Sequence, residues 1–533
     1  MPQPHNQLSR RQLLKLGLAS GATLAATLPG DSLWSFTRAS VFDRTSRLSS
    51  PETPAILVGT ARVDITPTLP SPFDIGVLEI ADNICQRLFA RMVYLESGEQ
   101  RALLIATDTA GILHTAYHTL RQAIAQKTGL APGQVVINSS HTHRGLYYNL
   151  DDQALLSKTE FQVVGMENWE ALVSRLAEAA EQAMSSKQPA VLSVGQGKLP
   201  ELAWNRRLLY LSEYHERHFN QRRKFPIGTT DPTLGVVKAE TADRKALAVL
   251  CFYACHPTVA EPGLSGDYPG FAMAALEREM GPSCTALFFQ GCAGNIAPNF
   301  RLQGAGGTTL AVDMVGSTFA ARVEQVLVQQ VLVKSMERIT SPPFVFGRAE
   351  YDLPLVPLSY GPTAVGSVPL GRWFEPPPLV AEYQTGSIKD LEERFEQAVA
   401  TFDRSLLASS PRNTSASYQH WLMMALADRL TLAKNLKEWS RHEVQALVCG
   451  PLCLVFLPGE AFIDFGLEIK QNSPYPYTFV SAYNDTTIQY VPDPIAFEEG
   501  GYETGPWCYS TPETGGVFVT ESLKLIKALQ RGS

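Results

Sequence analysis

The chain has 533 residues, of which 45% are hydrophobic and 18% are charged, and its formal net charge is -7. These are the proportions of an ordinary globular protein, and the length is compatible with a large α/β enzyme that keeps one main core. The acidic balance excludes a dedicated nucleic-acid-binding protein, which needs a basic face.

The N-terminus carries a targeting pattern. The twin arginines Arg10 and Arg11 precede a mildly apolar stretch, rich in Ala and Gly, that is too short for a membrane span. Twin-arginine signals export folded proteins from bacteria. The alternative interpretation of this segment is a basic N-terminal helix. We therefore predict a signal peptide over residues 1–30, a polar linker over 31–53, and a periplasmic or secreted protein with at most peripheral membrane contact.

Apolar runs and turn residues predict alternating strands and helices from residue 54 onwards. The expected strands are 59–67, 88–95, 101–107, 135–137, 191–196, 246–255, 285–289, 452–457 and 477–482. The expected helices are 113–129, 169–186, 271–280, 311–332, 388–408, 418–439 and 521–531. We interpret residues 341–440, which begin with a Pro- and Gly-rich stretch, as an elaboration on the core that forms a lid, an arm or an oligomer contact.

His114 and His118 lie four positions apart on the first predicted helix. Such a pair can hold a metal, but no glutamate follows His114 as in the H-E-x-x-H motif. We therefore predict surface or packing roles for both.

Four predicted strands end at polar or glycine-containing turns, at His141, His256, Gly291 and Glu460. Buried strands joined by helices favour a substantially parallel, helix-covered sheet, in which the loops after the strands meet at one edge. We therefore predict an α/β fold with a mixed, largely helix-covered central sheet and a metal site at the C-terminal edge of its strands. Two imidazoles, a carboxylate and an open position are a recurrent catalytic zinc set. Taken singly, His256 could be a core histidine and Glu460 an acidic residue at a helix N-terminus.

Five stretches, in this order, resemble the neutral ceramidases and their bacterial relatives, which are zinc amidases acting on N-acyl sphingoid lipids. These stretches are Gly59 to Pro67, Ser140 to His143, Cys255 to Thr258 with Ser265 to Asp267, Pro458 to Glu460, and Gln489 to Pro492. The resemblance implies one zinc ion per chain, held by His141, His256, Glu460 and Tyr490, with a water molecule completing the shell. It also implies that His143 and Arg206 are catalytic candidates near the substrate, His143 for proton transfer or oxyanion contact and Arg206 for orienting a polar group.

The resemblance further implies substrate-binding positions at Asp267, Gly294, Asn295 and Ala297, and here the sequence departs from the family. The family's G-D-V-S-P-N is Gly294 to Asn299 in this chain, so that Asn295 replaces the acid and Ala297 replaces the serine. Arg144 stands where the family has a small hydroxyl residue. We also expect no C-terminal immunoglobulin-like domain in the stretch that follows Tyr490.

Together these features predict an exported zinc-dependent hydrolase of an amide bond, acting on a small-molecule or lipid-like amide that need not be ceramide. The alternative is a catalytically silent metal- or ligand-binding protein that keeps the ceramidase fold.

Overall fold

The computed structural model describes residues 56–69, 71–73, 79–81, 83–152, 166–259, 263–299, 309–333, 336–339, 344–355, 387–402, 414–505 and 507–532. The signal peptide and linker predicted over residues 1–53 lie outside the described residues. Within the elaboration predicted over 341–440, the same holds for residues 341–343, 356–386 and 403–413.

The strands, in chain order, are β1 (Ile56–Asp64), β2 (Ser71–Phe73), β3 (Glu79–Ala81), β4 (Phe89–Ser97), β5 (Gln100–Thr107), β6 (Gly111–Ile112), β7 (Val135–Ser139), β8 (Tyr147–Tyr148), β9 (Gln188–Lys198), β10 (Ala203–Asn205), β11 (Thr233–Glu240), β12 (Ala246–Tyr253), β13 (Thr285–Gln290), β14 (Ile296–Pro298), β15 (Met336–Arg338), β16 (Val345–Asp352), β17 (Arg441–Cys449), β18 (Leu452–Phe456), β19 (Glu460–Ala461), β20 (Tyr477–Ser481) and β21 (Tyr490–Val491). The helices are α1 (His114–Thr128), α2 (Met166–Ser185), α3 (Glu213–His218), α4 (Asp267–Met280), α5 (Thr309–Val333), α6 (Ile388–Thr401), α7 (Thr414–Trp439), α8 (Ile463–Asn472), α9 (Pro494–Glu499) and α10 (Thr514–Gly532).

Two stacked sheets form the centre of the fold. The larger sheet has nine strands in the order β13-β12-β11-β9-β1-β4-β5-β7, with β15 paired to β9, and the smaller has the order β16-β17-β18-β20. Their facing sides share one apolar core, in which the ring of Phe252 lies 4.9 Å from that of Phe289 and 5.4 Å from that of Phe479. Helices cover the other faces, so the predicted α/β class with a mixed, helix-covered sheet is confirmed.

The expectation of a substantially parallel sheet is wrong, because most neighbouring strands in both sheets are antiparallel. Within the two stacked sheets, the parallel pairs are β5 with β7, β12 with β13, and β18 with β20. The connections within these pairs contain α1, α4 and α8 respectively, as parallel pairing requires a crossover. The fold thus contains three βαβ units within a largely antiparallel framework.

Strands β11, β16 and β17 were not predicted from the sequence. The last two lie on either side of helices α6 and α7, so residues 345–352 belong to the smaller sheet although they fall within the predicted elaboration. Within the described residues, every helix is too short or too polar to span a membrane.

Candidate metal centre

Three of the four predicted ligands closely follow strands of the three βαβ units. His141 follows the end of β7, His256 follows β12, Glu460 follows β18, and Tyr490 lies on the segment after β20. All four residues are buried. Side chains from distant parts of the sequence therefore meet where parallel strands end, as the sequence predicts for the C-terminal edge.

His141 and His256 face the same carboxylate oxygen. Nε2 of His141 lies 3.2 Å and Nε2 of His256 lies 3.4 Å from Oε2 of Glu460. The two imidazole rings are 4.9 Å apart, at nearly a right angle. The three side chains thus surround a common point.

Hydrogen bonds on the other side of each ring fix the imidazole tautomers. Nδ1 of His141 lies 2.7 Å from the carbonyl oxygen of Ala110, and Nδ1 of His256 lies 3.0 Å from that of Ile296. Because a carbonyl oxygen only accepts hydrogen bonds, both Nδ1 atoms carry the proton and both Nε2 atoms present a lone pair. Neither Nε2 atom has a hydrogen-bond partner in the structure.

The protonation states of these groups suit metal binding. Burial and the nearby Arg206 guanidinium lower the pKa of His256 to about 3, so its imidazole is neutral at neutral pH. Burial would raise the pKa of Glu460, but a proton on Nε2 of His141 or His256 would offset burial, so that this pKa lies below its ordinary value and the group is a carboxylate. Neutral imidazole and carboxylate are the forms that bind a metal ion.

The arrangement fits a zinc ion. Two lone pairs and a carboxylate oxygen that face one another repel unless a cation lies between them. Ligand atoms about 2.0–2.1 Å from a tetrahedral zinc ion are separated by about 3.3–3.4 Å, which agrees with the two distances to Glu460. Donation of the remote ring N–H to a backbone carbonyl is also the usual support for a metal-binding histidine.

His143 is the third imidazole of the cluster. One ligand atom each from His141, His143 and His256 lie within 4.8 Å of one another, and the ring of His143 is 5.1 Å from that of His141. The sequence predicts that His143 stands beside the metal and does not bind it. The geometry admits two ligand sets that share His141 and His256, completed by either Glu460 or His143.

Tyr490 and Arg206 stand next to this cluster. Tyr490 pairs with Glu460 in the parallel strands β19 and β21, which puts both side chains on the same side. Nη2 of Arg206 donates to the Tyr490 hydroxyl at 3.0 Å and to the carbonyl oxygen of Gly294 at 2.7 Å, and its Nε donates to Glu503 at 2.7 Å. Arg206, for which a substrate contact was predicted, is therefore anchored by the protein and holds the tyrosine hydroxyl.

The predicted substrate-binding residues lie around the centre. The contacts that the structure shows for them are with other parts of the protein. The carboxylate of Asp267 accepts hydrogen bonds from the backbone N–H groups of Val259 and Tyr268, and this residue has no exposed surface. It therefore holds the loop that follows His256. Its role in substrate binding stays a prediction.

Gly294, Asn295 and Ala297 form the turn that packs against Glu460. A Cβ atom on Gly294 would collide with the carbonyl oxygen of Glu460, so only glycine allows this approach. The side-chain oxygen of Asn295 accepts a hydrogen bond from Ile463 N–H at 2.9 Å. Ala297 is buried on β14, opposite Trp204 of β10. These positions shape the wall of the centre through the backbone.

Tyr483 is a neighbour of the centre that the sequence analysis missed. Its ring lies 4.6 Å from that of His141, and its hydroxyl is 3.5 Å from Oε2 of Glu460. Its backbone joins two of the site's loops, accepting from Ser139 N–H and donating to the carbonyl oxygen of Gly459. No sequence motif marks this position, because the contact depends on the loop conformation after β20.

Strained backbone is concentrated around the site. His141, Asp267, Tyr483 and Gln489 have φ angles of 64°, 51°, 62° and 53°, in the left-handed region that side chains with a Cβ atom disfavour. Among the described residues, Arg244 is the one other non-glycine residue with positive φ. Strained conformations of this kind persist where the surrounding contacts hold them, commonly at functional sites.

Comparison with known proteins agrees with this geometry. Residues 57–329, more than half of the chain, match the family described as Neutral/alkaline non-lysosomal ceramidase, N-terminal. The fold is similar to a ceramidase solved in complex with C2, at 19% identity and a TM-score of 0.62, over 90% of this chain and 76% of that chain. It is also similar to the neutral ceramidase from Pseudomonas aeruginosa, at 19% identity and a TM-score of 0.60, over 90% of this chain and 75% of that chain.

No match to a curated protein was found. At 19% identity the solved structures establish a shared fold, and the family assignment rests on the match over residues 57–329. The resemblance recognised in the five sequence stretches is confirmed: the chain belongs to the neutral/alkaline non-lysosomal ceramidase family.

Proposed function

We propose that this protein is an exported, zinc-dependent hydrolase that cleaves an amide bond in a polar substrate. The observation that carries the proposal is the convergence of two imidazole lone pairs, from His141 and His256, on the carboxylate of Glu460. Membership of the ceramidase family supplies the reaction class.

In this proposal His141, His256 and Glu460 hold one zinc ion, with Tyr490 as the fourth protein ligand. Zinc held there would supply Lewis-acid chemistry, which lowers the pKa of water to about 7 and polarises a scissile carbonyl. The Nδ1–H contacts to Ala110 and Ile296 keep both imidazoles oriented with Nε2 towards the centre.

Two further side chains have roles in the reaction. His143 is partly exposed at the edge of the imidazole cluster, where one of its ring nitrogens moves a proton or contacts the oxyanion. Arg206, anchored by Glu503, keeps the Tyr490 hydroxyl in position, and its cation lies close enough to favour negative charge that develops on the substrate.

We propose that the substrate is more polar than long-chain ceramide. The local chemistry supports this, because Asn295 and Ala297 supply neither the carboxylate nor the hydroxyl of the ceramidase motif. Arg144 adds a cation directly after His143, and a cation near the site favours an anionic or polar substrate over a neutral lipid. A site that hydrogen-bonds its substrate discriminates strongly against molecules that leave those groups unpaired.

A second candidate is a catalytically silent protein that retains the fold and the metal. The side chain of Asn295 is engaged by Ile463 N–H, and Ala297 presents only a methyl group. Both observations favour this candidate, because the ceramidase motif has an acid and a serine at these two positions.

Turnover by zinc-loaded protein separates the two candidates. Long-chain ceramide, short N-acyl amino acids and chromogenic esters are offered to the native protein, to His256→Ala and to the control His218→Ala, whose histidine is exposed on α3. We expect cleavage of a short N-acyl compound by the native protein and the control, and none by His256→Ala. A zinc-loaded protein that cleaves no member of the panel would instead support the silent candidate.

We also propose export through the twin-arginine pathway, supported by Arg10 and Arg11 and the short apolar stretch after them. Changing both arginines to lysine should leave the protein in the cytoplasm. Unchanged recovery from the periplasm would contradict this proposal.

A further inference from the structure

A cavity of about 710 Å³ lies on the other side of the loops that carry the metal centre. It is lined by α1, the turn at 131–134, strands β16 and β17, and the loops after β18 and β20. None of His141, His143, His256, Glu460 and Tyr490 lines it. Its volume is that of a small-molecule site.

Three buried nitrogen atoms belong to side chains that line this cavity and have no hydrogen-bond partner. They are Nδ1 of His114, Nη2 of Arg121 and Nε2 of His442. These residues are only 4%, 3% and 5% exposed, respectively. Buried polar atoms in native proteins are almost always paired, so three on one cavity indicate a ligand with complementary groups.

Arg121 is held rigidly in the wall of the cavity. Its Nε donates to the carbonyl oxygen of Pro132 at 2.9 Å, its Nη1 lies 2.6 Å from Oε1 of Glu443, and its guanidinium stacks over the Tyr117 ring. Arginine remains protonated in proteins, so Nη2 is a hydrogen-bond donor under all physiological conditions. A fixed donor of this kind is typical of sites for carboxylate or phosphate groups.

His442 is oriented by a carboxylate behind it. Its Nδ1 lies 3.6 Å from Oδ2 of Asp485, whose Oδ1 accepts hydrogen bonds from the backbone N–H and hydroxyl of Thr487. Burial would raise the pKa of Asp485, but His442 offsets burial and that pKa lies below its ordinary value, so the carboxylate is charged. This contact at Nδ1 orients the His442 ring and leaves Nε2, on the far side of the ring, as its unpaired atom.

His114 is fixed at the start of α1. Its backbone N–H donates to the Thr487 hydroxyl at 2.6 Å, and its ring stacks on Trp439 at 5.6 Å. The ring therefore has the predicted packing role, whereas its Nδ1 atom has no hydrogen-bond partner. Tertiary contacts with the loop after β20, which are invisible in the sequence, bury this side chain.

Most carboxylates of the lining are already paired. Glu443 contacts Arg121 and Arg348, and Glu350 contacts Arg348 and Arg441. Two others remain: Asp485, which contacts His442 and Thr487, and Glu438, which is exposed. Oε1 of Glu443 also makes no hydrogen bond, although it is ion-paired with Arg121 at 2.6 Å. The other unpaired buried atoms of this wall are the three nitrogens, which complement a negatively charged ligand.

We propose that this cavity binds a small oxyanion, the phosphate or carboxylate group of a small molecule, through Arg121, His442 and His114. Hydrogen bonds from a guanidinium group such as that of Arg121 to these oxygens are short and strong. A metal ion fits less well, because the imidazole cluster that converges within 4.8 Å in the described residues is that of His141, His143 and His256. An arginine in the wall also repels a cation.

The cavity is connected to the metal centre through the backbone. Asp485 accepts a hydrogen bond from Gly459 N–H, which directly precedes Glu460, while Glu460 N–H donates to the carbonyl oxygen of Gln489. An anion bound to His442 therefore lies next to the loop residues that support two proposed zinc ligands, Glu460 and Tyr490. It does not touch the ligands themselves.

Calorimetric titration of inorganic phosphate, and separately of acetate, into the zinc-loaded protein tests this proposal. We expect one saturable site for at least one of the two anions, and the comparison tells which oxyanion is preferred. His442→Asn and Arg121→Gln should each weaken binding at least about tenfold, the effect of losing one charge-assisted hydrogen bond. The control His218→Asn, on an exposed face of α3, should bind as the native protein does.

Circular dichroism identifies any variant that does not fold. Arg121→Gln leaves Glu443 with one cation fewer, so His442→Asn decides the outcome if Arg121→Gln is unfolded. Absence of saturable binding of both anions would overturn the proposal. Native affinity in the folded His442→Asn variant would also overturn it, since the anion would then be bound elsewhere, for example at the zinc ion.

Discussion

Nε2 of His141 lies 3.2 Å from Oε2 of Glu460, although one residue follows a strand of the larger sheet and the other a strand of the smaller sheet. The centre therefore joins the two sheets, and its geometry depends on their stacking. Residues that fix this relationship should affect metal affinity even if they do not bind the ion.

Tyr483 is the clearest of these residues, because it contacts both His141 and Glu460. We predict that Tyr483→Phe, which removes only the hydroxyl, weakens zinc affinity about two- to tenfold, the effect of losing one modest hydrogen bond. Chelator competition on the metal-free protein measures this directly. Tyr253→Phe is a matched control, because the Tyr253 hydroxyl donates to the Leu199 carbonyl oxygen away from the centre. Equal zinc affinity in Tyr483→Phe and Tyr253→Phe would show that the hydroxyl does not position Glu460.

Glu503 is a buried carboxylate that holds two arginines, the half-buried Arg206 at 2.7 Å and the buried Arg207 at 2.9 Å. Removing one partner of a buried ion pair typically costs about 3–5 kcal/mol, and here Arg206 loses its carboxylate whereas Arg207 keeps Glu499 as a partner. We therefore predict that Glu503→Gln lowers the free energy of unfolding by about this amount in urea titrations. Glu498→Gln, which breaks the exposed pair with Arg222, should change it little. Similar stabilities of the two variants would contradict the prediction.

The same carboxylate predicts a pH dependence. Burial would raise the pKa of Glu503, but Arg206 and Arg207 offset burial and hold it below the ordinary value of 4.5. A group whose pKa is lower in the folded state contributes stability above its unfolded pKa, and this contribution is lost as the pH falls through the folded pKa. The free energy of unfolding should therefore fall more steeply below about pH 4.5 in the native protein than in Glu503→Gln. Parallel curves for both proteins would exclude Glu503 as the source.

The turn at Asn295 and Ala297 tests the substrate preference. We predict that the native protein cleaves long-chain ceramide weakly or not at all, because this turn lacks the carboxylate and the hydroxyl of the ceramidase motif. The double change Asn295→Asp and Ala297→Ser should increase ceramide cleavage relative to short N-acyl amino acids, measured as the ratio of kcat/KM values. Zinc content of both proteins is the control. Efficient ceramide cleavage by the native protein would contradict the proposed polar substrate.

The sequence predicted the ligand-bearing strands well because each is a continuous apolar run that ends at a polar turn. The strands before His141, His256 and Glu460 are β7, β12 and β18, and all three occur where the apolar runs lie. Buried on both faces, such strands need no alternating pattern to be recognised. The helices between the paired strands, α1 and α4, were likewise expected.

Other features depend on tertiary contacts that leave little trace in the sequence. Strands β16 and β17 carry charged and polar residues, and they are far apart in the sequence although they pair in the smaller sheet. The contact of Tyr483 with the centre depends on a left-handed backbone conformation, which a tyrosine in the sequence does not predict. Residue spacing does not resolve the choice between Glu460 and His143 as third ligand, because both stand beside the same two imidazoles.

Metal analysis of the protein as purified tests the central claim most directly. We predict about one zinc ion per chain in the native protein and in His218→Ala, and loss of most of the zinc in His141→Ala, His256→Ala and Glu460→Ala. His143→Ala should retain its zinc if that residue stands beside the ion. Loss of zinc in His143→Ala with retention in Glu460→Ala would assign the third ligand to His143. A native protein that binds no metal, or full zinc occupancy in His141→Ala and His256→Ala, would contradict the proposed metal centre.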